Sequence, residues 1–145
     1  MRLTVTKKEV KMDKAKLAKH VLVTTKDEVG QFFEVTSAIA DAKVNLTGIC
    51  AWGKDNQAFF ALLTNDNAKA MAALTAKGFQ ASEQDVVTVM LEDKVGAAKT
   101  IAKKIRDAGI NLDCVYGTVC GCKDTSAFLV ISSKENAKVV SCLNG

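Results

Sequence analysis

Lys26-Asp27-Glu28-Val29-Gly30-Gln31 follows the apolar run Val21-Leu22-Val23 and opens a second run from Phe32 to Ala40. The pattern then recurs. Glu92-Asp93-Lys94-Val95-Gly96-Ala97 follows Val87-Thr88-Val89 and opens Ala98 to Ile105. The offset is a constant 66, and ten of 33 positions are identical between residues 20–52 and 86–118. They include Asp27/Asp93, Gly30/Gly96, Ile39/Ile105, Asp41/Asp107, Ala42/Ala108 and the pairs Asn45-Leu46/Asn111-Leu112. Self-similarity at a fixed offset marks one structural unit written twice.

At 145 residues the chain suits one ordinary domain or two small ones, and the repeat decides for two. Units of this size lie near the lower limit for folding alone, so they are expected to pack on each other. An apolar content of 48% is enough for a core in each. No run of 18 apolar residues and no signal-peptide pattern occurs, so a soluble, cytoplasmic protein without a membrane partner is expected. The five cysteines, an odd count without an export signal, point to reduced thiols. The net charge of +4 is concentrated in residues 1–20, where Arg2 and six lysines face only Glu9 and Asp13. The rest of the chain is therefore close to neutral and offers no basic nucleic-acid surface. The lysines of the arm have no aromatics between them for bases to stack on, so a solvated arm is the reading there.

Residues 1–16 lie outside the repeat, with strand-like alternation at Arg2-Leu3-Thr4-Val5-Thr6; Met12 is a possible alternative start. Residues 17–25 read as a strand with the single histidine, His20, near its beginning, where a surface or edge role is the ordinary one. Gln31 to Lys43 reads as a helix with Phe32, Val35, Ile39 and Ala42 on one face. Phe33 lies off that stripe, either covered by another unit or chain or packed in the core. Asn45 to Trp52 is a strand, Gly53-Lys54-Asp55-Asn56 has hairpin turn chemistry, and Phe59 to Thr64 is an almost wholly apolar strand. Asn65 or Asp66 caps a helix over 68–77 that Gly78 closes, and residues 79–84 form a short strand leading into the next unit's first strand, 85–91. The second unit repeats the order with helix 96–108, strands 111–119 and 126–132 and helix 135–143, then stops before a fourth strand.

The expected fold is therefore α+β: two βαββαβ ferredoxin-like units in tandem, 17–84 and 85–145, behind a basic arm of residues 1–16 with a possible edge strand. Each antiparallel sheet carries its helices on one face, and the second unit lacks its last strand. Phe32, Val35, Ile39, Phe60, Leu62, Met71 and Leu74 are expected in the first core, and Ile101, Ile105, Phe128, Val130 and Val140 in the second. The spare segment Arg2 to Thr6 is expected to pair with a sheet edge left open.

Chemistry is concentrated in the strand-to-helix loops. The backbone N–H groups of Val29, Gly30, Gln31 and Phe32 open a helix, a place that attracts an anion such as an amino acid's carboxylate. Asp27 is suited either to cap that helix or to meet a ligand's ammonium group. Cys120-Gly121-Cys122, with Cys114 nearby, reads either as an incidental thiol pair in a hairpin or as a soft-metal or redox site. No nucleophile–histidine arrangement, phosphate loop or His-x-x-x-His is present, so no catalytic residue, metal or cofactor is assigned.

Strand, Asp-x-x-Gly, amphipathic helix, Ala-x-x-Asn-Leu, strand, hairpin, strand and an Asp-capped helix ending in Gly-Phe together resemble the ACT domain, the small regulatory module of amino-acid metabolism. Asp27-Glu28-Val29-Gly30 and Asp93-Lys94-Val95-Gly96 match its first loop; Ala42 to Leu46 and Ala108 to Leu112 match its helix-to-strand junction. The likeness covers about residues 17–145 and is to stand-alone tandem-ACT proteins in particular. The family often has Pro before the loop Gly, where this chain has Val29 and Val95. The resemblance implies small ligands, usually amino acids, bound where the first loop of one unit meets the second strand of its neighbour. It points to Asp27, Glu28, Val29, Gly30, Gln31, Asn45 and Leu46, and to Asp93, Lys94, Val95, Gly96, Ala97, Asn111 and Leu112.

The function expected is thus a non-catalytic regulatory protein that binds a free amino acid and acts on a metabolic enzyme or on its own assembly, a homo-oligomer such as a dimer. The alternatives are a subunit that binds a partner enzyme without a ligand of its own, and a thiol or metal protein using Cys120 and Cys122.

Overall fold

The computed structural model describes residues 14–118 and 126–145. Arg2 to Thr6, Met12 and Cys120-Gly121-Cys122 lie outside them. The elements are β1 (Lys14–Lys26), α1 (Gln31–Asp41), β2 (Leu46–Lys54), β3 (Gln57–Thr64), α2 (Asn67–Ala76), β4 (Gln80–Glu92), α3 (Ala97–Asp107), β5 (Cys114–Thr118), β6 (Ser126–Ser132) and α4 (Asn136–Asn144). The chain is α+β, and two compact units divide it: Leu17–Val87, and Thr88–Gly145 with residues 14–16.

In the unit Leu17–Val87 the strands lie in the order β2-β3-β1-β4. β3 is antiparallel to both neighbours, with Val21 opposite Leu62 and Ile49 also opposite Leu62. β1 and β2 therefore run in the same direction, and their C-terminal ends lie at the same end of the sheet. The β2–β3 connection is a two-residue turn, Asp55 and Asn56, at φ 51° and 62°. Both values are positive, the geometry whose twist suits a hairpin, and Asp and Asn tolerate it. At the end of α2, Gly78 has φ 85°, and the Phe79 N–H donates to the Leu74 carbonyl at 3.0 Å, so a glycine closes the helix. At its start Asp66 Oδ1 accepts from the Lys69 N–H at 3.1 Å.

The core of this unit joins Val35, Ala38 and Ile39 of α1 and Ala70 and Leu74 of α2 to Val21, Val23, Phe60 and Leu62 of the sheet. Two expected core residues are placed differently. Phe32 is 59% exposed. It lies one turn before Val35, at the mouth of the helix, and stacks on Phe60 with ring centroids 6.4 Å apart. Met71 is half-buried at the margin of the core. Phe33 is 69% exposed, so core packing is not its role.

In the other unit β6 lies between β4 and β5, and β5 pairs antiparallel to β6 with Val115 opposite Ile131. Ile101 and Ile105 of α3 and Val139 and Leu143 of α4 are buried with Val130 and Ile131. The inward pair of α4 is thus Val139 and Leu143, four residues apart, and Val140 turns partly outward. Phe128 is half-buried near the start of β6. The chain ends in α4, and β1 neighbours β4 in the strand order. Ala15, near the start of β1, is buried and exchanges two 2.8 Å bonds with the Asn144 side chain of α4. The segments 79–84 and 85–91, read from the sequence as two strands in succession, are one continuous strand, β4.

Candidate functional site

The loop after β1 is built by three local bonds. Asp27 N–H donates to the Asn56 carbonyl at 3.0 Å and ties the loop to the hairpin turn. Gln31 N–H donates to Glu28 O at 3.3 Å, and Glu34 N–H donates to Gly30 O at 3.0 Å. Between them Gly30 sits at φ 95°, ψ −7°, in the left-handed region that favours glycine. The loop after β4 repeats this backbone. Ala97 N–H donates to Lys94 O at 3.3 Å, Thr100 N–H to Gly96 O at 3.1 Å, and Gly96 has φ 87°, ψ 0°. Sequence identity at the two glycines is thus identity of conformation. Of the N–H groups proposed for an anion, those of Gln31 and Ala97 are engaged in these turns. Those of Val29, Gly30 and Phe32 have no partner among the described residues.

Asp27 does not cap α1; neither Gly30 nor Gly96 is accompanied by a side-chain cap bond. Its carboxylate lies against β2, where a Cβ built on Gly53 would stand 2.7 Å from Oδ2. Gly53 is therefore where the strand lets the carboxylate come close, and that leaves the helix start open.

A cavity of about 300 Å³ opens here, lined by Asp27, Glu28, Gln31, Phe32, Trp52 and Phe60 among others. Sequence reasoning found the loop but not the strand side of this site. Trp52 borders it because β1 and β2 run in the same direction, which places the end of β2 beside the loop, and Phe60 lies on β3 between them, opposite Val23. The Trp52 ring stacks on Phe59, 5.4 Å between centroids. Phe60 points to the α1 side, where it meets Phe32.

Asn45 and Leu46 lie at the other end of β2, about 23 Å along the strand from Gly53 at the usual rise per residue. Asn45 N–H donates to Asn65 Oδ1 at 3.0 Å, which pins the strand's entry. Within one unit, then, the loop and the Asn45-Leu46 pair line no common cavity. In the second set, Asp93, Lys94, Val95 and Gly96 are exposed and Ala97 is half-buried. Lys94 Nζ pairs with Glu92 at 2.9 Å, an exposed contact. Asn111 is exposed, its carbonyl accepting from Ser133 Oγ at 2.8 Å, and Leu112 is half-buried.

His20 is buried at 3% exposure, its Nε2 3.3 Å from Gln84 Oε1. Burial pushes its pKa below the usual imidazole value, and the hydrogen bond to Gln84 opposes that shift. The surface or edge placement expected from the sequence is therefore corrected: the imidazole is covered. Among the described residues no three His, Cys, Asp or Glu side chains converge as a metal site, and no helix is long and apolar enough to cross a membrane.

Solved structures share this architecture. Protein BT0572 from Bacteroides thetaiotaomicron superposes with a TM-score of 0.81 at 22% identity, covering 90% of this chain and 89% of that one. The regulatory subunit of aspartate kinase from Thermus thermophilus matches with a TM-score of 0.63 at 13% identity, over 90% of this chain and 95% of its own. The fold is that of tandem ACT-domain proteins. The aspartate kinase regulatory subunit from Thermus flavus, at TM-score 0.56 and 14% identity over 92% and 96% of the two chains, shares the ACT architecture too. No family model and no curated protein matches the chain. At these identities the likeness establishes the fold alone.

Proposed function

We propose that this chain is a non-catalytic, cytoplasmic regulatory protein that binds a free amino acid and passes the binding event to a partner enzyme or to its own assembly. The observation that carries the reading is the displacement of Asp27 from the helix start onto Gly53. It leaves an open helix N-terminus, suited to a carboxylate, beside a carboxylate suited to an ammonium. A zwitterion matches that polarity at both ends. The loop sites are Asp27, Glu28, Val29, Gly30 and Gln31, with Asn45 and Leu46 supplied by a second copy of the chain in a homodimer. The corresponding set is Asp93, Lys94, Val95, Gly96 and Ala97 with Asn111 and Leu112. Regulatory subunits of aspartate kinase have the same fold, which supports a metabolic enzyme as the class of partner.

The experiment is a thermal-shift screen of the twenty amino acids with the intact chain. A ligand that binds only the folded state at a hundred times its Kd adds about 2.7 kcal/mol of stability, and Tm rises accordingly. Absence of any shift at millimolar concentration overturns the ligand reading. The exposed cluster of Val29, Phe32 and Phe33 would then favour a subunit that docks on a partner without a ligand of its own.

A further inference from the structure

The two loops share a backbone but not a lining, and the difference specifies a ligand. The cavity beside the first loop carries two carboxylates, Asp27 and Glu28, and among the described residues no lysine, arginine or histidine lines it. A zwitterion with a neutral side chain brings one cation to two anions and leaves one carboxylate unmatched. Its apolar wall is the stacked pair Phe32 and Phe60, with Phe32 exposed enough to present a ring face. At the second loop the position of Glu28 is Lys94, which already pairs with Glu92. Ala98 stands for Phe32 at the offset of 66, and Leu129 stands for Phe60 at an offset of 69, the shift at which Asn136-Ala137-Lys138 repeats Asn67-Ala68-Lys69. Because Glu92 in turn stands for Lys26, each loop holds two carboxylates and one lysine; in the second the lysine lies nearer the helix start, paired with Glu92, and no aromatic ring stands at the positions of Phe32 and Phe60.

We infer that the cavity of the first loop selects an amino acid with a cationic side chain, and that the second loop does not bind it, so that each chain takes one. This rests on the amino-acid reading above and adds the ligand's charge class and stoichiometry. A planar guanidinium fits best: it lies flat on an aromatic face while its N–H groups meet a carboxylate.

The test compares arginine with citrulline, which keeps the shape and loses the charge, by titration calorimetry on the full-length chain. Exposed ring-face and ion-pair contacts are individually modest, so arginine is expected to bind about tenfold more tightly. The stoichiometry is expected to be one per chain, and the preference to shrink as salt is raised and screens the carboxylates. Glu28→Lys, which copies the second loop, is expected to erase the arginine-to-citrulline ratio, whereas Lys94→Gln leaves it unchanged. If citrulline or other neutral amino acids bind as well as arginine, the charge class is wrong while the amino-acid reading stands. If two arginines bind per chain, the one-site assignment is wrong. If neither compound nor any other amino acid binds, the amino-acid reading falls and this inference with it.

Discussion

Replacing Gly30 by alanine tests the loop conformation on which the site depends. At φ 95° an L-residue carries a left-handed backbone penalty of about 1–2 kcal/mol. Nothing lies within 4 Å of the added Cβ, so no clash adds to it. Alanine also narrows the unfolded ensemble, which offsets about 0.4–1 kcal/mol. The expected net loss is about 0.5–1.5 kcal/mol. Unfolding entropy near 2.1 cal/mol/K per residue, over 145 residues, makes that roughly 2–5 °C in Tm by scanning calorimetry. The backbone mechanism also sets an order. Gly30→Asn should cost less than Gly30→Ala, because Asn tolerates this region, and Gly30→Val more, because β-branched residues rarely enter it. The same series at Gly96, φ 87° with open space around its Cβ, should run in parallel. A Gly30→Ala variant as stable as the parent, or a Gly30→Asn variant less stable than Gly30→Ala, would refute the reasoning.

His20 makes stability depend on pH. Its folded pKa is depressed by burial, so the unfolded chain takes up a proton first as pH falls through about 6.5. Tm should therefore fall between pH 7 and 5.5, and His20→Gln should flatten that slope; equal slopes in the two proteins would contradict it. Asn144→Ala should leave both polar groups of the buried Ala15 backbone without their partner, at about 1–3 kcal/mol. Urea unfolding should show the midpoint falling, and an unchanged midpoint would mean that this contact does not hold β1 to α4.

Local signals determined much of this protein from the sequence alone. The repeat announced two like units. The hairpin at Asp55-Asn56 and the helix stop at Gly78 were legible because few residues accept positive φ. Val35 with Ile39, and Ile101 with Ile105, marked the inward helix faces because a four-residue spacing returns to the same side. Tertiary structure decided what spacing cannot carry. Asp27 beside a helix start reads as a cap, yet it rests on Gly53, 26 residues later, because parallel β1 and β2 bring their ends together. Phe32 fits the apolar stripe, yet it lies at the mouth of α1 and forms a wall of the cavity. Asn45 and Leu46 are close in sequence to β2's other site residues, but a strand separates them by its length. Periodicity tells a residue which side of its own helix or strand it occupies. Which distant residue it meets there depends on strand order and direction, and those are set only when the sheet assembles.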